Sequence, residues 1–452
     1  MSTCLSMAEI CSTYPTAGGL YYWSAKLARD EWGPYMAWIT GCCNILGMPA
    51  GSPATSLEVA NIVASIVPIC NEDFVPSLGW LYGVTVVYAF IGSAANSLGE
   101  RSLRVFTWLS LVVISTGVIV IGVPLLVMSP TKATASFAFG TFVDKTGWNN
   151  SSLVFQLGFL LPMWTFWGYD ASAHISEETV DADTTPAKSL IYSFSLSIVI
   201  GWIFLLILGF VITDIEAILD CQYNEDLVCV YLQVKASVCI VLIKSMASFL
   251  TIWTLFQFIF QNITGHNGAS RAIWPAIPQR FAYVHPTTKQ PLRTVWLHFF
   301  STAILLLVNF GSTQTVNGFS AFNTIGMYTA YTLPTICKLI WARVIFKPSK
   351  INDSFYLWKD LGRFSTIINV VAAAWLGYMI VILSIPRRMP IVRTNLNLSP
   401  IMYVGVMLLI NVIWFLGAKK TFIEPRRHVT AEEIEVLEKS KGESLGKAEM
   451  DF

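Results

Sequence analysis

The feature that most constrains this chain is a succession of apolar windows, each about as long as a bilayer is thick, that runs from residue 35 to residue 416. A helix rises ~1.5 Å per residue, so crossing a hydrocarbon core of ~30 Å takes ~20 residues. Only helices and closed barrels satisfy their own backbone in that medium. Windows of this kind lie at 35–67, 80–98, 106–127, 154–175, 190–212, 238–263, 295–310, 319–339, 366–385 and 401–416. They predict an all-α polytopic membrane protein with about ten transmembrane helices and no room for a separate soluble domain. The first window is long enough to tilt steeply, and Pro49, Gly51 and Pro53 permit a bend inside it. With 54% hydrophobic and 13% charged residues, the composition lies well outside soluble-globular averages.

Charge sets the topology. Lys and Arg collect in cytoplasmic loops, and one set of alternate connections holds Lys26, Arg29, Arg101, Arg104, Arg271, Arg280, Arg343, Lys347, Lys419 and Lys420 against few on the other side. The richer side is expected to be cytoplasmic, together with the C-terminus. The loop "IPRRMPIVR", with Arg387, Arg388 and Arg393, runs against this pattern. Glycosylation sequons at Asn149, Asn150 and Asn397 fall on the outer side. Asn262 and Asn352 carry the same pattern, inside a span and on the cytoplasmic side, where no glycan is attached. Nine cysteines show neither CxxC nor Cys/His metal spacing. Cys221 and Cys229 share one outer loop, either as a loop-closing disulfide or as two free thiols.

Several functions are excluded. A net charge of +1 gives no general attraction to nucleic acid. There is no HExxH, GxSxG, P-loop or GxGxxG after a strand, and five histidines form no metal constellation, so neither an enzyme nor a cofactor or metal is expected. No repeated pore loop or acidic ring speaks for a channel.

One window ends unusually. "FWGYDASAHISEET", 166–179, carries an aspartate, a histidine and two glutamates out of an apolar run. Gly168 permits a backbone break there, and a break inside a membrane persists only where freed amides and carbonyls face protein, water or a ligand. Asp170 beside it either caps the outgoing half-helix or contacts a substrate ammonium or a proton. Glu177 and Glu178, about two turns on, either form an inner gate of ion pairs or are solvated at the interface. His174, near the same level, reads as a packed or hydrogen-bonded side chain in preference to a proton carrier. Glu58 and Lys244 are two further charges inside spans; either they form an ion pair or Lys244 snorkels outward. "QNITGHN", 261–267, is polar for a span end and predicts that Asn262 faces a pocket or the inner vestibule.

Two motifs resemble a known family. "LSMAEICSTYPTAGGLYYWSAKLA", 5–28, is similar to the loop between the second and third helices of the amino acid/polyamine/organocation (APC) transporter superfamily, in wording nearest the fungal GABA, choline and amino acid permease branch. "GYDASAHISEETVDADTTPAKSL", 168–190, resembles the end of its sixth helix and the following loop, and "GASRAIW" is a weaker third match. The resemblance implies a leucine-transporter-like fold of two inverted five-helix repeats, with substrate held at the midplane by interrupted first and sixth helices. Carried across, Trp164, Thr165, Trp167, Gly168, Tyr169 and Asp170 line the substrate from one side. Gly47, Met48, Gly51 and Ser52 form the opposing wall, with Met48 where relatives commonly carry glutamine.

The family has two helices ahead of the first motif. This chain is therefore expected to lack the first helix and most of the second: residues 1–34 are a remnant of the second helix and a cytoplasmic loop, 35–417 the transmembrane bundle, and 418–452 a cytoplasmic tail with a capping box at Thr430 and Glu433. After "SRAIW" a helical stretch of the family is replaced by "PAIPQRFAYVHP". The implied function is secondary transport of amino acids or related amines (GABA, choline or a polyamine) by alternating access, with protons as a candidate coupling ion. A non-transporting, receptor-like or inactive truncated homologue is the alternative. The implied location is the plasma or the vacuolar membrane.

Overall fold

A computed structural model of the chain describes residues 1–70, 74–166, 168–219, 226–233, 285–288, 290–310, 313–342, 346, 361–392 and 396–422. Trp167, Cys221, Lys244, Asn262, the "GASRAIW" motif, the window at 238–263 and the capping box at Thr430 and Glu433 lie outside the described residues.

The described residues are helical, with no strand among them. Helix α1 (Ser2–Thr13) and helix α2 (Leu20–Leu27) come first. The segment read as a loop thus contains a helix of its own, because Leu20, Tyr22, Trp23 and Leu27 all find a buried apolar neighbourhood. The Trp23 indole then ties α2 back by donating to the Tyr14 carbonyl at 2.8 Å. Helix α3 (Gly33–Cys70) has 38 residues, about 57 Å at ~1.5 Å per residue, and so exceeds a bilayer core. Helices α4 (Leu78–Ser97) and α5 (Glu100–Met128) follow. Ser77 caps α4 by accepting from the Trp80 amide at 3.2 Å.

Short helices come next: α6 (Ala135–Gly140), α7 (Ser151–Leu157) and α8 (Leu160–Thr165). A 3₁₀ segment over Tyr169–Glu178 leads to α9 (Thr185–Val211), then α10 (Ile215–Leu219) and α11 (Asp226–Gln233). The chain continues with α12 (Leu292–Leu307), α13 (Thr313–Cys337), α14 (Ser365–Ser384) and α15 (Ser399–Ile413). A π-helical turn over Lys338–Ala342 extends α13.

Among the described residues, five helices are long and apolar enough to cross a membrane: Leu78–Ser97, Arg101–Met128, Thr185–Val211, Gly362–Ser384 and Ser399–Thr421. Their outward faces carry Trp108, Ile119, Val127, Trp202, Leu205 and Leu408, all exposed. Apolar faces of that extent are unsuited to water and suited to lipid.

The centre of the bundle is the α3–α13 contact, where small residues let the two backbones meet. A Cβ on Gly326 would lie 3.4 Å from the Gly47 Cα, and one on Gly47 would lie 3.4 Å from the Met327 amide nitrogen. Asn323 closes the seam by donating from Nδ2 to the Gly47 carbonyl at 2.8 Å. Backbone at that distance cannot yield to a larger side chain, so Gly326→Leu is expected to destabilise by about 1–3 kcal/mol, the usual cost of overpacking. Gly377→Ala, with nothing within 4 Å of the added methyl, should not. Thermal unfolding in lipid nanodiscs would compare them.

A second buried seam is polar. Lys338 Nζ lies 2.5 Å from Glu9 Oε2, which also accepts from Ser365 Oγ at 2.7 Å. Next to it Ser6 donates to Asn369 Oδ1 and lies 3.3 Å from Thr335 Oγ1. This network fastens α1 to α13 and α14.

Candidate functional site at the interrupted helix

The apolar window at 154–175 does not form one helix. Asn150 caps α7 by accepting from the Leu153 amide at 3.2 Å, the chain turns at Gly158, and α8 ends at Thr165. Gly168 then takes φ 85° and ψ 1°, the left-handed region that side chains disfavour. A Cβ there would meet nothing within 4 Å, so its requirement for glycine comes from backbone conformation and not from crowding.

The groups freed by this break are taken up by α13. The Gly168 amide donates to Tyr331 Oη at 2.9 Å, and Tyr331 in turn donates to Asp170 Oδ1 at 2.7 Å. One turn earlier, Tyr328 donates to the Met163 carbonyl. Asp170 and Tyr331 are fully buried. The Asp170 carboxylate therefore accepts a phenol where a cap would take a backbone amide. Tyr169 packs edge-on against Phe194 at 5.2 Å and against Tyr331 at 5.3 Å, with its hydroxyl toward Met7 Sδ at 3.1 Å.

His174 brings the two sequence motifs together. Its Nδ1 is 3.1 Å from the Ala17 carbonyl of the loop between α1 and α2, and its Nε2 is 3.4 Å from Asp170 Oδ2. Gly19, at φ 52°, lets that loop close over the ring, since a Cβ there would sit 3.0 Å from His174 Cε1. Asp170 Oδ2, His174 Nε2 and Trp164 Nε1 are buried without a hydrogen-bond partner. Such atoms are rare in folded proteins and mark places where something else binds or a proton is shared.

The other residues expected at the site are placed as follows. Thr165 is exposed and donates to the Leu161 carbonyl at 2.9 Å. Gly47 and Gly51 meet α13, where a Cβ on Gly51 would lie 2.9 Å from Asn323 Nδ2. Ser52 Oγ shares a hydrogen bond of 2.8 Å with His298 Nε2 on α12. Met48 is helical in α3. One helix, α13, thus reaches both expected walls, and its Tyr328 and Tyr331 were missed by sequence reasoning. Two tyrosines three apart in "YTAYT" are the signal, and inside an apolar window they read as packing.

Glu177 and Glu178 end the 3₁₀ segment, where Thr179 Oγ1 donates to the Ile175 carbonyl at 2.8 Å. Asn149 is exposed. Asn397 is half-buried and commits its amide nitrogen to the Leu383 and Ile385 carbonyls at 3.0 and 3.1 Å. Cys229, in α11, is disulfide-bonded. A cleft of about 570 Å³ lies beside α7 and α8, lined by Phe142, Phe155, Phe159, Pro162, Arg387 and Arg388 among others. The "IPRRMP" loop is held there by the Met389 amide donating to the Thr146 carbonyl at 2.7 Å and by Trp148 Nε1 donating to the Pro386 carbonyl at 3.0 Å. In the same turn, hydrogen bonds from the Thr146 hydroxyl and amide hold the Asp144 carboxyl below its ordinary range.

Apolar spans around an interrupted helix define a multi-pass integral membrane protein. Residues 1–407 match the amino acid permease family, and the chain belongs to that family. It is 30% identical over 448 residues to the amino-acid permease BAT1 of Arabidopsis thaliana, covering 93% of this chain and 83% of that protein. It is 25% identical over 435 residues to a choline transporter of Saccharomyces cerevisiae, covering 93% of this chain and 74% of the other. Among solved structures, a manganese transporter of Eremococcus coleocola aligns over 93% of this chain and 95% of that one at 11% identity and a TM-score of 0.33, too loose a likeness to bear on the site.

Proposed function

We propose that this chain is a secondary transporter of amino acids or related amines, working by alternating access, with the substrate ammonium seated against Asp170 at the Gly168 break. The observation that carries this reading is a fully buried carboxylate at unwound backbone with one oxygen left without a hydrogen-bond partner. A buried carboxylate with one oxygen lacking a donor is costly, and a cationic ligand offsets that cost. Amino acids and choline, named for the two relatives, share a cationic nitrogen. Trp164, with its unpartnered indole, Tyr169 and Trp167 supply aromatic faces to such a group.

The reading extends to the remaining expectations. The fold is leucine-transporter-like with about ten spans, the C-terminus is cytoplasmic, and the membrane is the plasma or vacuolar one. Gly47, Met48, Ser52 and Asn262 contribute the facing wall, and Glu177 and Glu178 form the inner gate. Cys229 pairs with Cys221, the glycan sites are Asn149 and Asn150, and protons supply the driving force.

The test is uptake of radiolabelled alanine, GABA and choline in transport-deficient cells. The wild type should accumulate at least one of them, and Asp170→Asn should lower that uptake by about tenfold to a hundredfold, the loss expected for one buried charge-assisted contact of ~1.5–3 kcal/mol. A surface-expressed wild type that accumulates none of the three would overturn the reading in favour of a non-transporting scaffold.

A further inference from the structure

The break contains a chain of hydrogen bonds whose donors are fixed at every link but one. Because the Gly168 amide donates to Tyr331 Oη, the single phenolic proton is the one that reaches Asp170 Oδ1. At the far end the Ala17 carbonyl can only accept, so His174 must carry a proton on Nδ1. A neutral His174 then presents a bare lone pair on Nε2, facing Asp170 Oδ2 across 3.4 Å. Neither atom has another hydrogen-bond partner, and both side chains are buried. Two acceptors facing each other away from water repel, and one proton placed on either of them removes the conflict.

The other titratable groups around the pair are Tyr331 and Tyr328 from α13, Tyr169 on the same segment and Cys4 from α1. Tyrosine and cysteine side chains are neutral near pH 7. No lysine, arginine or second carboxylate is paired with Asp170 among the described residues. The net charge of this buried cluster is therefore set by the Asp170–His174 pair: zero with one proton, minus one without it.

We propose that Asp170 and His174 together form a buried one-proton binding site at the interrupted helix, loaded from water through an O–H or N–H bond and unloaded by the reverse step when the segment opens. The geometry stands by itself, whereas the consequence, that this proton is the one coupled to substrate movement, rests on the transport reading above. Asp170 touches the substrate in that reading, and His174 acts through Asp170 as a positioning residue.

The experiment uses the full chain in lipid nanodiscs. Infrared pH titration of the wild type should show a carboxyl–imidazole protonation change that is absent from both Asp170→Asn and His174→Gln. The same titration in all three proteins would overturn the proposal. Should either variant fail to fold, nitrogen NMR of labelled histidine in the wild type decides it. A buried histidine with Nε2 protonated, or bare opposite a protonated carboxyl, is expected. A bare Nε2 opposite an ionised carboxylate at every pH would refute the site.

In proteoliposomes the pH profile of alanine or choline uptake should change by up to about tenfold per pH unit on its titrating limb, the slope of one proton, and His174→Gln should flatten it. Identical profiles would refute the coupling. If the wild type takes up neither probe, the transport reading falls while the infrared result still decides the proton site.

Discussion

Replacing Lys338 with methionine is expected to destabilise the folded protein by about 3–5 kcal/mol, because it strands the Glu9 carboxylate in a buried place with no counter-charge. Glu9 and Lys338 side chains are each 5% exposed and 2.5 Å apart. Ser365 supplies the only other donor that Glu9 Oε2 has among the described residues, and one hydroxyl does not replace an ammonium. The reverse change, Glu9→Gln, leaves Lys338 beside the Phe346 ring at 4.4 Å, a weaker partner for a cation in apolar surroundings. Removing both charges together in Glu9→Gln/Lys338→Met should recover much of the loss, since the desolvation of each partner disappears with its charge. Thermal unfolding of the three variants in nanodiscs gives the coupling directly. A double-variant loss equal to the sum of the two single losses would show that the pair is not a unit.

The second large effect belongs to Tyr331→Phe. Loss of one hydroxyl deprives two buried groups at once, the Gly168 amide and Asp170 Oδ1. Each unsatisfied group costs about 1–3 kcal/mol, so the expected loss exceeds that of an ordinary hydrogen bond. The Gly168 amide should also exchange with solvent faster than in the wild type, which hydrogen-exchange mass spectrometry on the 160–180 stretch can read. Tyr328→Phe frees only the Met163 carbonyl and should cost less.

Much of this bundle was legible because period and length carry the information. A window of about twenty apolar residues admits few structures in a bilayer, and the described helices α3, α4, α5, α9, α14 and α15 coincide with such windows. The departure from helix at Gly168 was legible for the same reason in reverse: a residue without a side chain followed by an acid conflicts with a continuous lipid-embedded helix. What was not legible was who answers the break. Tyr328 and Tyr331 are more than 160 positions away in the chain, and nothing local distinguishes a tyrosine that packs from one that donates into a freed backbone. Likewise Glu9 lay inside a motif and Lys338 inside an apolar window, with nothing local to link them. Their pairing is a fact about tertiary distance. Nor was it legible that Gly47 and Gly51 of α3 also serve the close approach of α13.

Tyr328, Tyr331, Thr335 and Lys338 follow one another at steps of three, four and three residues, so they ride on a single edge of one rod. That edge touches the interrupted segment at its upper end and the first helix at its lower end. A turn of the rod about its own axis would therefore loosen both attachments in the same instant, and a one-residue insertion between Tyr331 and Thr335, which swings the lower half by about 100°, would sever the mechanical link while leaving each half chemically intact.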